Sequence, residues 1–361
     1  VYRRVNQKFA RTVTNLKMPH ARVFSHDFHL ALFPSAVRKM NPMLSIAHFW
    51  HIPWPPYTVF RLCPQHQEIF RGLLGANVIG FQSATDTERF LTGVERSLKV
   101  PVNHSRGTIL WKDRTVYAKS FPISVNIQEI EQLVQTPAVS QFVHAMRARL
   151  AQRQQLIGIS VDRADYTKGI LQRLQALNEF FVRYPQNQGH VVFLQIIVPT
   201  RTGVDGYRQL FQRVVAESSR INQRFAQNGW RPIITIRHGL DRKRIMGLFR
   251  MVDFALISSL FDGMNLVAKE FIAAQVDRHG VLLLSESTGA AQELAQYAFP
   301  VNPLDPEGFA HVLQQALHLP AAERIRRMRA MQNYLHQHSI HHWIQDILNT
   351  LQEATETYVP N

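Results

Sequence analysis

Arg163 and Lys168 stand in Asp162-Arg-Ala-Asp-Tyr-Thr-Lys-Gly169, where an apolar strand pattern ends and a helical one begins. Two fixed cations beside a helix N-terminus form a diphosphate site, the arginine offering a planar fork and the lysine a point charge. Arg201, in Pro199-Thr-Arg201 after the next strand pattern, is a third cation at an equivalent edge. A single basic residue at a strand end is ordinarily a surface charge; three at edges that the topology makes converge are harder to dismiss. Neither GxxxxGK[ST] nor GxGxxG occurs, which counts against P-loop and dinucleotide readings.

The second cluster lies in Leu256 to Gln275. Phe254-Ala-Leu-Ile257 reads as a buried strand, Asp262-Gly263 breaks it, and Asn265 to Gln275 carries helical spacing. In an α/β sheet such a turn lies at the carboxyl ends of the strands, where ligands bind and the free N–H groups of the new helix favour anions. Glu270 on that helix has the chemistry to accept hydrogen bonds from two adjacent hydroxyls, as a ribose presents them. The bland reading makes Glu270 a solvated helix residue and Asp262 an ordinary turn acid.

Two histidine-bearing stretches complete the candidates. His26-Asp-Phe-His-Leu30 has two histidines three apart around Asp27, but no third metal ligand stands at a convincing spacing, so a polar cluster aimed at sugar hydroxyls is preferred and no metal is expected. In Ile46-Ala-His-Phe-Trp-His-Ile-Pro-Trp-Pro-Pro56 an apolar strand runs into a loop stiffened by Pro53, Pro55 and Pro56, which presents His51 at a fixed place. The alternative is a structural histidine packed among Trp50 and Trp54.

These residues need rigid elements to hold them, and strand and helix patterns alternate along the whole chain. Arg22 to Ser25 reads as a short strand, Gln67 to Leu74 as a helix, Val78-Ile-Gly-Phe81 as a strand, and a further helix starts at Asp86. Residues 101 to 120 read as polar and turn-rich; a long helical stretch follows Phe121 to Asn126 and runs to about Gln155. A second series has strands at Leu156–Val161, Val191–Val198, Ile233–Ile236, Phe254–Ile257 and Val281–Leu284. Alternation of this kind argues for α/β domains with parallel sheets and helices on both faces. The expected division is a partial N-terminal domain over 1–125, a complete doubly wound domain over 126–335, and a C-terminal helix over 336–361 packing back on the first.

Composition narrows the function classes. At 361 residues and 45% hydrophobic, the chain can bury a large core and splits naturally into two domains. The single cysteine, Cys63, rules out an internal disulfide and a cysteine metal cluster. No apolar run approaches the ~18 residues of a membrane span and no signal-peptide pattern opens the chain, so no membrane partner and a cytoplasmic setting are expected. The net charge of +15 is scattered; only Arg324-Ile-Arg-Arg-Met-Arg329 is dense, on a helical face, and no nucleic-acid-binding signature occurs.

In order, His26-Asp-Phe-His-Leu30, His51-Ile-Pro-Trp-Pro55, Gly72-Leu-Leu-Gly75 with Ile79-Gly-Phe-Gln82, Val161 to Gly169, Val198-Pro-Thr-Arg201, Asp262-Gly-Met-Asn-Leu-Val267 with Glu270, and Ser287-Thr-Gly-Ala-Ala291 with Glu293-Leu294 resemble the motifs of trehalose-6-phosphate synthases. Seven motifs in register, from Tyr2 to about Trp343, make the resemblance specific. It implies a GT-B glycosyltransferase of family 20, two Rossmann-like domains facing a cleft, moving glucose from UDP-glucose to glucose 6-phosphate with retention, without a metal or cofactor, and leaves a homo-oligomer open. By the same resemblance Arg163 and Lys168 clamp the donor diphosphate and Glu270 takes the ribose. Asp262, with the backbone of Gly263, Met264, Asn265, Leu266 and Val267, holds the donor glucose and phosphates. His51 lies near the anomeric carbon, Asp27 binds acceptor hydroxyls and Arg201 the acceptor phosphate. A donor phosphate oxygen helps deprotonate the attacking hydroxyl, so no enzyme nucleophile is required.

The chain also departs from that family. It opens on a helical pattern, Val1 to Ala10, with no strand before it, and is expected to be a fragment that binds nucleotide but turns over poorly, lacking a glycine-rich loop and part of the acceptor site. Phe261 stands where many members have arginine, and Trp50 and Trp54 replace commoner apolar residues. A sister transferase using another phosphorylated acceptor, such as glycerol 3-phosphate, or an ADP or GDP sugar, and a non-catalytic sugar-nucleotide-binding module are the competing readings.

Overall fold

The computed structural model describes residues 1–18, 21–150 and 155–356. The chain divides into two compact units: Val1–Ile123 together with the described part of Ile340–Asn361, and Ser124–Ser339.

The first unit holds a six-stranded sheet. Its strands are β1 (Arg22–His26), β2 (Ser45–Phe49), β3 (Val78–Phe81), β4 (Val102–Asn103), β5 (Thr108–Trp111) and β6 (Arg114–Ser120), in the order β1-β2-β3-β6-β5-β4. The first four in that order run parallel; β5 and β4 continue antiparallel. β2 and β3 are buried along almost their whole length, which explains their continuous apolar runs. Ile46, Ile79 and Phe81 pack with Phe70, Leu73 and Phe90 from the helices His66–Leu73 and Ala84–Leu98. Ala47, Phe49 and Val78 pack with Trp343, Ile347 and Leu351 of the helix Ile340–Glu356, whose Trp343 Nε1 donates to the Phe121 carbonyl at 3.0 Å. Each such buried aliphatic or aromatic side chain contributes about 1.5–3 kcal/mol before entropy is counted. Residues 357–361, part of the expected C-terminal segment, lie outside the described residues.

The polar reading of residues 101–120 is corrected here. They form three strands, β6 being the fourth member of the parallel set. Only Val116 and Ala118 of β6 are fully buried, with Tyr117 packing partly buried on the opposite face, so Arg114, Thr115, Lys119 and Ser120 dominate its composition. The single helical stretch expected between Asn126 and about Gln155 is two helices, Ile127–Val134 and Pro137–Leu150, separated at Gln135 and Thr136 because Pro137 cannot continue the first. Residues 151–154 lie outside the described residues.

The second unit has six parallel strands: β7 (Leu156–Arg163), β8 (Val191–Val198), β9 (Ile233–Ile236), β10 (Phe254–Ile257), β11 (Val281–Ser285) and β12 (Phe299–Val301). Their order is β12-β11-β10-β7-β8-β9, so chain progress reverses between β7 and β10. Such a reversal opens a crevice at the carboxyl ends of the two strands. β12 is absent from the five expected strands because Pro300 disqualifies it as a central strand; it is an edge strand, where a missing N–H is tolerated.

Candidate functional site

The carboxyl end of β7 is locked by buried polar contacts. Asp165 accepts from the N–H and the hydroxyl of Thr167, both at 3.0 Å, and starts the short 3-10 turn Tyr166–Lys168. Gly169 ends that turn at φ +60°, and a Cβ there would stand 2.0 Å from the Ser258 carbonyl oxygen, so no other residue fits. Ser258 Oγ lies 3.0 and 3.1 Å from the carbonyl oxygens of Lys168 and Gly169, and accepts from Arg173 Nη1 at 2.8 Å. Arg173 is fully buried and also donates to Asp162 Oδ2 at 2.7 Å and to Gln195 Oε1. β7, β8, β10 and the turn carrying Lys168 are thereby tied to one guanidinium.

Lys168 reaches from this turn to the one after β10. Its Nζ stands 2.6 Å from Asp262 Oδ2, with both side chains largely buried. The same oxygen accepts from Asn265 Nδ2 at 3.0 Å and from Ser259 Oγ at 3.2 Å. Among the described residues every side-chain donor on the Asp262 carboxylate goes to Oδ2. Asn265 adopts φ +80°, which its short polar side chain tolerates, and its Oδ1 caps the helix Leu266–Ala274 through the Ala268 N–H at 3.1 Å. Among the described residues, the backbone N–H groups of Gly263, Met264, Asn265, Leu266 and Val267 have no protein acceptor. The turn is braced from behind: Gly289 N donates to the Asp262 carbonyl at 3.1 Å and Ala290 N to that of Met264 at 2.8 Å.

Three expected site residues flank this cluster without touching it. Arg163 is exposed at the last position of β7. Glu270 lies one turn into the helix, half-buried, with no hydrogen bond to another described residue; burial raises its pKa and the Arg242 charge pulls it back. Arg201 follows β8 at φ +47°, donates to the Tyr207 hydroxyl at 2.7 Å and lies over that ring. Tyr207 in turn contacts Tyr166, with ring centroids 6.0 Å apart, linking the Arg201 loop to the Lys168 turn.

In the first unit, Asp27 follows β1 at φ +68°, ψ 169°, a region costly for any residue but glycine. Its N–H donates to the Phe49 carbonyl at 2.7 Å and its Oδ1 accepts from the His51 N–H at 3.4 Å, so the ends of β1 and β2 are tied together. His26 Nδ1 lies 3.0 Å from His51 Nε2. His29 stands 3.7 Å from Asp27 Oδ2. Burial lowers the pKa of both His26 and His51. His51 packs on Phe49, whereas Trp50 packs on Trp54, itself enclosed by Phe60, Phe70, Phe81 and Phe90. Among the described residues no group of three or more histidines, cysteines or acids is placed to hold a metal.

Reading the sequence missed Ser258, Ser259, Arg173 and Asp165. Two signals were there: a serine pair directly after an apolar strand, and an arginine on the apolar face that Ile170, Leu174 and Leu177 define. His26 was read as one member of a polar cluster aimed at sugar hydroxyls, and its pairing with His51 was not foreseen.

An open parallel sheet reversing between β7 and β10, with cations and unpaired N–H groups at the reversal, defines the doubly wound α/β class that takes anionic ligands at strand ends. The chain belongs to glycosyltransferase family 20, whose model matches residues 1–353. It is similar to the bifunctional trehalose-6-phosphate synthase/phosphatase of Thermoproteus tenax, 37% identical over 355 residues covering 98% of this chain. The chain spans about half of that relative, 48% of its length. Among solved structures, it resembles a UDP-forming alpha,alpha-trehalose-phosphate synthase from Burkholderia xenovorans in complex with glucose-6-phosphate (35% identity, TM-score 0.90, covering 97% of this chain and 77% of that one). A trehalose-6-phosphate structure from E. coli bound with UDP-2-fluoro glucose is similar at 31% identity and TM-score 0.92, covering 100% of this chain and 78% of that one. The two sheets are those of the GT-B fold that the motifs implied. No described helix is long and apolar enough to cross a membrane.

Proposed function

We propose that the chain is a retaining glycosyltransferase that moves glucose from UDP-glucose to glucose 6-phosphate and forms trehalose 6-phosphate. The observation that carries this reading is the run of unpaired N–H groups from Gly263 to Val267 beside the Lys168–Asp262 pair. Five backbone donors, a lysine and an exposed arginine suit a diphosphate that gains charge as it leaves, and fixed dipoles stabilise that charge more than the ground state. Asp262 Oδ1 is the oxygen left for a glucose hydroxyl, because Oδ2 is already taken by three donors. Glu270 has both carboxylate oxygens available for a ribose diol. On the loop after β8, Arg201 contributes a guanidinium to a sugar phosphate. On the first unit, Asp27 and His51 supply polar groups for sugar hydroxyls. A donor phosphate oxygen takes the proton of the attacking hydroxyl, which needs no nucleophile from the protein.

Family membership and the names of the relatives support the acceptor and donor. The test is product analysis on the purified chain. UDP-, ADP- and GDP-glucose are each offered with glucose 6-phosphate and with glycerol 3-phosphate, and the products are resolved by mass spectrometry. A disaccharide phosphate formed only from UDP-glucose and glucose 6-phosphate is the expected result. Product from glycerol 3-phosphate alone would move the chain to a sister activity, and nucleotide binding without any product would make it a binding module.

A further inference from the structure

The ends of β1 and β2 carry a contact that the proposed chemistry does not use. His26 pairs in register with Phe49, and His51, two residues beyond Phe49, comes back beside His26. The ring centroids are 5.2 Å apart with planes inclined by 26°, and Nδ1 of His26 lies 3.0 Å from Nε2 of His51. Phe24 packs on the His26 ring at 4.2 Å and Phe49 on the His51 ring at 4.7 Å between centroids, so neither ring turns freely.

We propose that His26 is a positioning residue for His51, donating its Nδ1–H to His51 Nε2 and thereby fixing the tautomer, with the His51 proton on Nδ1, and the ring plane that His51 presents. Two imidazole nitrogens at this distance bond only when one carries hydrogen and the other a lone pair. Two facing N–H groups repel, and two facing lone pairs leave the contact without a proton, a loss that falls on the half-buried His51 rather than on the exposed His26. A neutral imidazole has a single N–H, so the state of His51 Nε2 dictates that of Nδ1: when Nε2 accepts from His26, Nδ1 is the donor of that ring, and when Nε2 donates, Nδ1 is the acceptor. Asp27, 3.4 Å from the His51 N–H, fixes the backbone from which the ring projects. His48, buried beneath and bonded to Ser25 Oγ at 2.9 Å, is neutral and adds no competing charge.

The tautomer lock stands independently of the proposed activity; only its effect on turnover rests on that reading. Long-range proton–nitrogen spectra of the histidine-labelled 361-residue chain, at a pH about one unit above the ordinary histidine value, report the tautomer directly. His51 signals are assigned by their loss in His51→Gln. The expected result is one His51 tautomer in the parent chain, averaged shifts in His26→Ala, and recovery in His26→Asn, whose amide N–H stands near the place of Nδ1. Should His26→Ala fail to fold, His26→Phe keeps the ring volume, removes both nitrogens and carries the same expectation. His51 spectra that are mixed in the parent, or unchanged in the alanine and phenylalanine variants, overturn the proposal. In the UDP-glucose assay, His26→Ala is expected to lower kcat by about ten- to a hundredfold, the effect of losing a partner that orients a histidine, with His26→Asn restoring most of it. A scrambled tautomer with unchanged turnover upholds the positioning and overturns instead the role given to His51 beside the sugar.

Discussion

Lys168 Nζ stands 2.6 Å from Asp262 Oδ2, joining the turn after β7 to the turn after β10 across the point where the strand order reverses. The lysine charge is therefore neutralised at rest and held in place, and the carboxylate is oriented by the same contact. A diphosphate arriving at the N–H groups of Gly263 to Val267 finds a cation already positioned, so little ordering of a flexible side chain opposes binding.

Lys168→Ala and Arg163→Ala should each weaken UDP binding by about 1.5–3 kcal/mol, the loss of a charge-assisted contact. Their effects on folding should differ. Arg163 is exposed, so its removal leaves the melting temperature unchanged, whereas Lys168→Ala strips a partner from a largely buried carboxylate and lowers it. Calorimetry with UDP beside thermal melts checks both; unchanged affinity in a folded variant removes that residue from the clamp.

Arg201→Lys should raise the KM for glucose 6-phosphate and leave the donor KM nearly unchanged, because a bidentate fork becomes a point charge. Tyr207→Phe, which removes the hydroxyl that Arg201 Nη1 donates to at 2.7 Å, should move the same constant in the same direction by less. Steady-state kinetics with each substrate varied in turn decides it. A defect confined to the donor would reassign Arg201 to the nucleotide.

Much of this was legible where a strand's apolar run meets a turn of distinctive chemistry. Phe254 to Ile257, Asp262-Gly263 and the helical spacing beyond them determine strand, break and helix locally, and the structure repeats them as β10, the turn and Leu266–Ala274. Legibility failed where tertiary context decides. β6 is read as polar because only two of its seven residues are fully buried, and β12 carries Pro300 because it is an edge. Contacts such as Arg173 to Ser258, 85 positions apart, or His26 to His51 leave no periodic trace, since nothing local distinguishes a buried arginine or a paired histidine from an exposed one.

The acid limb of stability should show His48. Burial first, then the neighbouring His26 and His51, lower its pKa from 6.5 to about 3. The unfolded chain therefore binds a proton that the folded chain refuses, so stability is fully present above the ordinary histidine value and is lost as pH falls from there toward about 3. The slope amounts to at most about 1.4 kcal/mol per pH unit from this one group. Urea unfolding between those limits should give a shallower pH dependence in His48→Gln than in the parent. Parallel slopes would mean that His48 is protonated in the folded chain.

Gly169 and Gly189 separate backbone strain from close approach. Both have positive φ, +60° and +85°, but a Cβ on Gly169 would stand 2.0 Å from the Ser258 carbonyl oxygen, while one on Gly189 meets nothing within 4 Å. Gly189→Ala should therefore cost only the left-handed penalty of about 1–2 kcal/mol and leave UDP affinity intact. Gly169→Ala incurs the same penalty and also forces apart the two segments that Ser258 Oγ joins, moving Lys168 away from Asp262. Its melting temperature should fall further, and in the folded fraction UDP binding should weaken as it does in Lys168→Ala. Urea unfolding and calorimetry on the two alanine variants give both numbers. Equal destabilisation, or full UDP affinity in Gly169→Ala, would show that the turn re-forms around the methyl group and that the Lys168–Asp262 contact does not depend on this close approach.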